Sequence, residues 1–528
     1  MARASLLRSG SALSLLTLVS RVLGLFREMT KAALLGTGAL SDAFSVAFML
    51  PNLFRRLFAE GSIAVAFIPT FKEYLLDDHH SEIKEFLCCF WTFLSFFVSI
   101  AVALGIALAP FIVPVFGIDA LDETVLLTRV MFPFLLFISV AAFFQGILNS
   151  IHVFVPSALA PIILNVVTIA ASWLLSPYTK NPARAMAIGI FIGGFLEAAI
   201  QLPFILKKGF SFSWVPLIRA IRSPGTKKVL RLIGPTIIGM AAYQLNDVVS
   251  TALAGGAGNG VVSSLQYSLR LQELILGVFA VSLGTVLLPD LAEKAKTQHW
   301  EEYNKRLSDA VSIIALITIP LVFFALAAGE SLIRLLFQSR EFDEQSVALT
   351  LSAFTFHISG LFFIAVNRIL APAFYAQSDS VSPTLAGLIS FAVNILLAFA
   401  LVGPMKGGGI ALALSIAGFV NTMFLFLFFR KNKNIRLKPL LHNSSLYVIK
   451  IIMISIAAMC PLLFISPFTR RFISSFNISN RLWTQAVPLT VHFLIFAAIA
   501  LFLLILTRDK YIKTIFALFK KDKKTKQA

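Results

Sequence analysis

The N-terminal part of this chain places charged side chains inside segments that are apolar enough to enter a bilayer. Each arginine held at membrane depth costs about 2.5–3.5 kcal/mol on insertion scales. Several charged side chains at membrane depth therefore require a water-filled cavity, pairing with acids or an anionic ligand. Because the cations outnumber the acids, the stretch 20–69 predicts a cavity in which arginines bind phosphate or pyrophosphate. Its charged residues are Arg21, Arg27, Glu28, Lys31, Asp42, Arg55, Arg56 and Glu60.

Helical spacing sorts the first of these charges into two faces. Arg21 and Glu28 are seven residues apart and share one face, whereas Arg27 and Lys31 are four apart and share another. The alternative to a ligand site is a set of internal salt bridges that hold the molecule together. The spacing alone leaves both interpretations open.

The second apolar segment contains a proline in its middle. We expect Pro51 and Asn52 to interrupt the helix and to free backbone polar groups beside a cavity. Arg56 and Glu60 are four residues apart and are predicted to pair with each other. This pairing would leave Arg55 as the cation that is freer to bind a ligand.

A further polar stripe occurs in the apolar stretch 262–288. Gln266, Arg270 and Glu273 follow one another at i, i+4 and i+7, so they share a helical face. We predict that Arg270 binds the ligand, and that Gln266 and Glu273, together with Ser20 and Glu28, form secondary polar lining of the cavity.

Other polar residues give weaker indications. Asp247 and Asn394 are candidates for an oxygen-rich site for a monovalent cation, with hydrogen bonding between helices as the alternative for the asparagine. His357 is predicted to be a buried histidine with a hydrogen-bond partner rather than a proton carrier. Neither a catalytic motif nor the spacing of a metal site is present, so we predict neither an enzyme nor a cofactor.

Composition sets the class of protein. The chain has 528 residues, of which 58% are hydrophobic and 13% are charged, whereas soluble domains carry about 25% charged residues. We therefore predict an all-α polytopic membrane protein. Its net charge of +19 is concentrated in a few loops and the C-terminal tail, which indicates membrane topology rather than binding to nucleic acid.

Fourteen stretches have the length and hydrophobicity of membrane-spanning helices. With this count, the three most basic loops lie on the same side as the N-terminus, so both termini are predicted to be cytoplasmic. We number the stretches as spans 1 to 14. They are 11–35, 42–71, 86–116, 125–149, 153–175, 185–206, 229–254, 262–288, 308–328, 347–375, 382–402, 409–429, 446–465 and 487–507.

A weak internal repeat relates spans 1–6 to spans 7–12 at an offset of about 220–227 residues, and the polar spans 1 and 2 correspond to 7 and 8. Parallel repeats of this kind occur in transporters that bind substrate between two lobes. We predict two six-helix lobes, followed by two additional helices. The predicted domains are an N-lobe at 1–206, a basic cytoplasmic linker at 207–228, a C-lobe at 229–430, helices 13 and 14 at 446–507 and a basic tail at 508–528.

Five motifs resemble one bacterial family, the MurJ (MviN-type) lipid II flippases, of the multidrug/oligosaccharidyl-lipid/polysaccharide exporter superfamily. They are SRVLGLFRE (20–28), SDAFSVAFMLPNLFRRLFAEG (41–61), AFIPTF (66–71), LGTVLLPDL (283–291) and LAPAFYAQSD (370–379). The resemblance covers about residues 10–430 and extends more loosely through the last two helices.

The resemblance implies fourteen helices, the bacterial inner membrane and alternating access that carries lipid II, an undecaprenyl-pyrophosphate-linked disaccharide pentapeptide, to the outer leaflet. It further implies that helices 13 and 14 form a groove for the polyprenyl tail. Membrane lipids and cell-wall synthesis proteins are the other expected partners. The family's cavity arginines match Arg21, Arg27, Arg55 and Arg270, and its acids match Asp42 and Glu60.

The chain also departs from the family's pattern. Leu269 and Met49 replace an acid and a lysine of some members. Ala398 stands where an acid of a sodium site is expected, which leaves coupling to sodium or to the membrane potential open. Other open functions are export of drugs or another polyprenyl-linked glycan, a polyprenyl-phosphate enzyme and a scaffold without transport. The arginines disfavour a cationic drug, and an enzyme of that kind would need an acidic metal-binding motif.

Overall fold

The structure is a computed structural model that describes residues 2–57, 66–76, 80–474 and 480–513. Within these ranges the regular elements are helical, which confirms the predicted all-α class. The helices are α1 (Ala2–Leu35), α2 (Ala39–Arg55), α3 (Ile68–Leu76), α4 (His80–Ile112), α5 (Leu121–Met131), α6 (Phe134–Ser150), α7 (Val155–Leu175), α8 (Pro182–Ala199), α9 (Leu202–Lys207), α10 (Leu217–Arg222), α11 (Pro224–Gly256), α12 (Val261–Lys296), α13 (Trp300–Phe337), α14 (Glu344–Ser359), α15 (Leu361–Tyr375), α16 (Val381–Phe428), α17 (Leu437–Ser474) and α18 (Val487–Leu506).

Many of these helices are suited to a bilayer. Within the described residues, eight are long and apolar enough to cross a membrane, and the number rises to nine if the pair α14 and α15, bent by 43°, is one span. The protein is therefore an integral membrane protein. The count of fourteen spans stays a prediction.

The longest helix contains a break. At about 1.5 Å per residue, the 48 residues of α16 would extend roughly 72 Å if straight, far beyond a bilayer core of about 30 Å. Lys406 interrupts it with φ 47° and ψ −129°, where two helices meet. This break lies between predicted spans 11 and 12.

The prediction that Pro51 and Asn52 interrupt the second span is wrong, because α2 continues through both residues to Arg55. Proline removes one backbone N–H, and membrane helices tolerate this loss where neighbouring groups compensate. The helix is followed by residues outside the described ranges, and a helical course is described again from residue 66.

The chain divides into two compact units. One comprises Met1–Ser263 and Ser339–Asp343, and the other comprises Ser264–Gln338 and Glu344–Ala528. The helix α12 begins in the first unit and continues in the second. The predicted lobes and their boundaries stay predictions.

Candidate functional site

A tight turn joins α1 to α2 and sets the two helices side by side. Gly36 has φ +56°, a left-handed conformation that favours glycine. A Cβ atom there would lie 1.9 Å from the carbonyl oxygen of Glu341 in the same unit. Only glycine fits this position, and the turn brings the charges of α1 against α2.

Two cations of α1 contact α2 at matching positions. The guanidinium of Arg27 lies 5.6 Å from the ring centre of Phe48. One turn later the Lys31 ammonium lies 5.9 Å from the ring centre of Phe44. The same ammonium donates a hydrogen bond to Ser45 Oγ at 2.6 Å. The predicted common face of Arg27 and Lys31 is confirmed. Lys31 is 3% exposed, so this lysine, which was not among the predicted binding residues, is the more deeply buried cation.

Acidic and polar groups surround the same part of α1. Arg27 forms an ion pair with Glu28 at 3.0 Å, with both side chains about one-sixth exposed. The backbone carbonyl of Ser20 accepts a hydrogen bond from Asn165 of α7 at 3.3 Å. Arg21 lies on the exposed surface of α1. Arg27 and Glu28 are thus paired with each other, whereas Arg21 faces outward, and a shared site for these residues stays a prediction.

Asp42 holds the beginning of α12. The carboxylate is 2% exposed, and it accepts hydrogen bonds from the backbone N–H groups of Gly260 at 2.7 Å and Ser263 at 2.8 Å. The first N–H groups of a helix have no intrahelical partner and carry a partial positive charge. Asp42 therefore caps the helix that carries Arg270. The sequence did not identify this partner, since 218 residues separate Asp42 from Gly260.

The two adjacent arginines at the end of α2 have different neighbours. Arg55 donates from Nε to Asn52 Oδ1 at 2.7 Å. Arg56 forms an ion pair with Asp247 of α11 at 3.2 Å, a pair that the sequence did not suggest. Glu60 lies outside the described residues, so its predicted pairing with Arg56 stays a prediction.

The predicted stripe on α12 contains a short-range ion pair. Arg270 and Glu273 lie 3.2 Å apart, and their side chains are 37% and 56% exposed. Gln266 on the same face is half-buried. A ligand that approaches this face would meet an arginine that exchanges one carboxylate for another anion at little cost.

The opposite face of α12 is fixed by a buried histidine. His357 of α14 is 1% exposed, and its Nδ1 lies 2.6 Å from Ser268 Oγ. Gln272 Nε2 donates to the His357 carbonyl oxygen. The prediction of a buried histidine with a hydrogen-bond partner is confirmed. These contacts set the rotation of α12 and turn Arg270 away from the buried side.

The predicted cation site is divided between the units. Asp247 belongs to the first unit, where it pairs with Arg56. Asn394 belongs to the second, where it is 2% exposed. Among the described residues, no group of three or more His, Cys, Asp or Glu side chains is arranged to hold a metal ion. A shared site for a monovalent cation stays a prediction.

The helices α13, α17 and α18 pack together in the second unit around an apolar core. Ala315, Ile454 and Phe496 belong to this core. An open cavity of about 310 Å³ lies beside it, lined chiefly by apolar residues and by His492. Its lining comes from α13, through Ala327 and Ala328, and from the region 446–507, for which the family resemblance implies a groove for the lipid tail.

Comparison with solved structures indicates the class of protein to which this fold belongs. A multidrug resistance MATE family transporter of the MOP superfamily, in an inward-facing conformation, matches with a TM-score of 0.66 at 15% identity, over 80% of this chain and 95% of that chain. At this identity the match shows the fold alone. The chain thus shares the fold of this transporter.

Closer relatives then identify the family. The family model of lipid II flippase MurJ matches residues 31–482. A probable lipid II flippase MurJ of Treponema pallidum is 45% identical over 96% of this chain and 97% of its own length. A lipid II flippase MurJ of Burkholderia cenocepacia is 33% identical over 81% and 84%.

A solved structure of lipid II flippase MurJ, in an inward closed conformation, agrees with these relatives. It matches with a TM-score of 0.76 at 25% identity, and the match covers 94% of this chain and 99% of that chain. The chain belongs to the MurJ family of lipid II flippases, which confirms the resemblance found in the sequence.

Proposed function

We propose that this chain is a transporter that moves lipid II from the cytoplasmic to the outer leaflet of the bacterial inner membrane. The observation that carries the proposal is its identity of 45% to a probable lipid II flippase over nearly the whole length of both chains. The chemistry of the first unit fits such a substrate, because cations of α1 lie within an apolar helical hairpin.

The pyrophosphate of lipid II is the group that these cations suit. Arginine binds phosphate oxygens through paired, charge-assisted hydrogen bonds. We assign this role to Arg21, Arg27, Arg55 and Arg270. Asp42 and Glu60 complete the proposed site, with Asp42 acting through the start of α12 and not by direct contact with an anion.

Alternating access is the proposed mechanism. In this proposal, twelve of fourteen helices form two six-helix lobes and two additional helices follow, with both termini in the cytoplasm. The two lobes expose the site to one leaflet at a time. The contact of Asp42 with the start of α12 supports a role in one of these states. It is a compact polar contact that can break and re-form as helices separate.

The polyprenyl tail of the substrate requires an apolar path. The cavity beside α13, α17 and α18 supports this role, because it adjoins an apolar helical core. We propose that the tail lies along α17 and α18 while the pyrophosphate binds elsewhere in the chain. Cell-wall synthesis proteins are proposed partners that supply or consume lipid II.

Complementation tests the proposed function. The host's own flippase is depleted, this chain is expressed, and lipid II in the outer leaflet is measured with an impermeant probe. We expect the wild-type chain to restore exposure of lipid II, and Arg21→Ala, Arg55→Ala and Arg270→Ala combined to abolish it. Arg219→Ala is a matched control, because this arginine pairs with Glu85 on an exposed surface. Full exposure with all three cavity arginines removed would refute the site.

Energy for transport is proposed to come from the membrane potential or a monovalent cation, without a bound cofactor. Moving one charge across the membrane yields about 2.3 kcal/mol per 100 mV. Collapsing the potential at a constant sodium gradient stops transport if the potential drives it. Continued transport that ceases on removal of sodium would assign the coupling to the cation.

A further inference from the structure

An open groove lies between α4 and α5 in the first unit, at the end where α5 begins. Its volume is about 640 Å³, and its apolar walls include Pro110, Pro114, Val125 and Leu126. The charged residues that line it are Asp122 and Arg129, two side chains to which the proposed transport mechanism assigns no role.

Arg129 is held in this groove by a carbonyl group of the neighbouring helix. Its Nε donates to the backbone oxygen of Ile106 at 3.3 Å. This oxygen lacks its usual helical donor, because the residue four positions later is Pro110, which has no N–H. Within the described part of the chain, no other hydrogen bond or ion pair is recorded for Arg129. The two terminal amino groups of the guanidinium therefore remain available to a ligand.

Asp122 lies seven residues before Arg129 on the same face of α5, about 10 Å along the axis. Its neighbour Glu123 is fully engaged, since both carboxylate oxygens accept from Arg184 at 2.7 Å. Asp122 is exposed, and the described residues provide it with no ion pair. Arginine side chains on a helix point back toward its N-terminus, so the guanidinium lies nearer to Asp122 than the rise alone suggests.

The surroundings of the groove are suited to a lipid and not to a dissolved ion. The apolar residues that are close in sequence to Pro110 and Pro114 are exposed, with Leu108 at 45%, Phe111 at 75% and Val115 at 67%. These residues belong to a span that is apolar enough to cross the membrane. An anion without a hydrocarbon chain would lose hydration here without apolar contacts in return.

We propose that this groove binds one zwitterionic phospholipid that carries a primary amine. The phosphate binds Arg129, the ammonium binds Asp122, and an acyl chain lies along Val125 and Leu126. A primary ammonium donates three hydrogen bonds, whereas a trimethylammonium donates none, so ethanolamine is preferred to choline. A purely anionic headgroup is disfavoured because it would place negative charge against Asp122.

Photo-crosslinking from the groove tests this assignment. The full-length chain with Leu126→p-benzoylphenylalanine is reconstituted into vesicles of equal dioleoyl phosphatidylethanolamine, phosphatidylcholine and phosphatidylglycerol, and the crosslinked lipids are identified by mass spectrometry. We expect phosphatidylethanolamine to exceed phosphatidylcholine about three-fold, as for an exposed ion pair. The same probe at Leu104, a lipid-exposed position of α4, should report the bulk composition.

Three variants, each combined with the probe, separate the two charges. Arg129→Ala or Arg129→Gln should remove the enrichment at Leu126. Asp122→Asn should equalise the ethanolamine and choline lipids. Lys180→Ala removes an exposed cation near the beginning of α8 and should leave the enrichment unchanged. Equal thermal unfolding of the variants excludes a folding defect.

Several results would overturn the proposal. One is the same lipid composition at Leu126 as at Leu104, and another is enrichment that survives both substitutions of Arg129. Preference for phosphatidylglycerol would show a simple anion site. Loss of the crosslinked lipid when excess inorganic phosphate is present before and during irradiation would show a site for free phosphate.

Discussion

The backbone N–H of Ser263 donates to Oδ1 of Asp42 at 2.8 Å, although 221 residues separate the two in the chain. A side chain of the second helix thereby fixes the first turn of α12. The arginine that the sequence predicts to bind the ligand lies two turns further along α12. Asp42 thus acts at the terminus of the helix that carries Arg270.

Substitution of Asp42 should weaken this capping contact in steps. Asp42→Asn keeps one acceptor oxygen but loses the charge. Hydrogen bonds to charged groups contribute about 1.5–3 kcal/mol to stability, whereas hydrogen bonds between neutral groups contribute about 0.5–1.5 kcal/mol. We expect roughly ten-fold faster amide exchange at Ser263 and reduced lipid II exposure, with larger effects for Asp42→Ala. Asp119→Asn is the control, because Asp119 accepts from the exposed Asn259 side chain at 2.7 Å. Unchanged exchange in Asp42→Ala would contradict the capping role.

Replacement of Arg27 by lysine tests the shape of the cation. Lysine keeps the charge but loses the planar group that lies over Phe48 and that binds phosphate in pairs of hydrogen bonds. Since a desolvated cation–π contact contributes up to about 2 kcal/mol, we expect a loss of transport between about five- and thirty-fold in a reconstituted lipid II flipping assay. Phe48→Leu should give part of this loss. Arg219→Lys, on the exposed surface, should transport normally, and equal activity of Arg27→Lys and the wild type would rule out the need for a guanidinium.

Removal of the hydroxyl partner of His357 should destabilise the second unit. Ser268→Ala leaves a buried ring nitrogen without the partner that it has at 2.6 Å, and an unsatisfied buried polar group costs about 1–3 kcal/mol. We expect a lower unfolding temperature and weaker transport, because the rotation of α12 is less well fixed. Ser359→Ala is the matched control. Among the described residues, that hydroxyl bonds within its own helix, to the Phe356 carbonyl at 2.7 Å. A wild-type unfolding temperature for Ser268→Ala would exclude this stabilising role.

Acidification should release the segment that follows α18. Burial disfavours the charged form of Asp509, but hydrogen bonds from the Lys450 ammonium and from the backbone N–H groups of Ile512 and Tyr511 outweigh it and lower the pKa of Asp509. The resulting stabilisation is complete above the ordinary carboxyl pKa of about 3.9 and disappears as the pH falls through the lowered value.

Hydrogen exchange at Tyr511 and Ile512 provides the measurement. We expect Asp509→Asn to speed exchange by roughly ten- to hundred-fold at neutral pH, and the wild type to approach the variant only in acid. Asp379→Asn serves as a comparison, since Asp379 caps the start of α16 in another loop. A wild-type protection factor, corrected for the intrinsic pH dependence of amide exchange, that does not change between neutral and acidic pH would contradict the role of the ionised carboxylate.

Much of the local structure follows from periodicity. The four-residue spacing of Arg27 and Lys31 requires one helical face, and both side chains do contact the same neighbouring helix. The stripe on α12 likewise places Arg270 and Glu273 within 3.2 Å of each other. Helical geometry is local, so residue spacing is sufficient to predict such relationships.

Partner choice was less predictable. The spacing predicts that Arg56 pairs with Glu60, which lies outside the described residues. The structure gives Arg56 another partner, Asp247, which is 191 residues distant. Pro51 was expected to break α2 but does not, because a helix can lose one N–H when its surroundings compensate. In both cases residue spacing describes the chemistry of the segment but does not reveal which groups from distant parts of the chain lie beside it.

The amino-acid sequence is sufficient to predict a helical membrane protein, the presence of charged residues inside two of its apolar regions, and the family that it resembles. These properties depend on composition, spacing and motif, which need no folded chain. The folded structure is needed to see that Asp42 caps α12, that His357 turns Arg270 outward and that Lys31 is buried against Ser45. Such contacts join distant residues, and their energies depend on burial and orientation, which packing alone establishes.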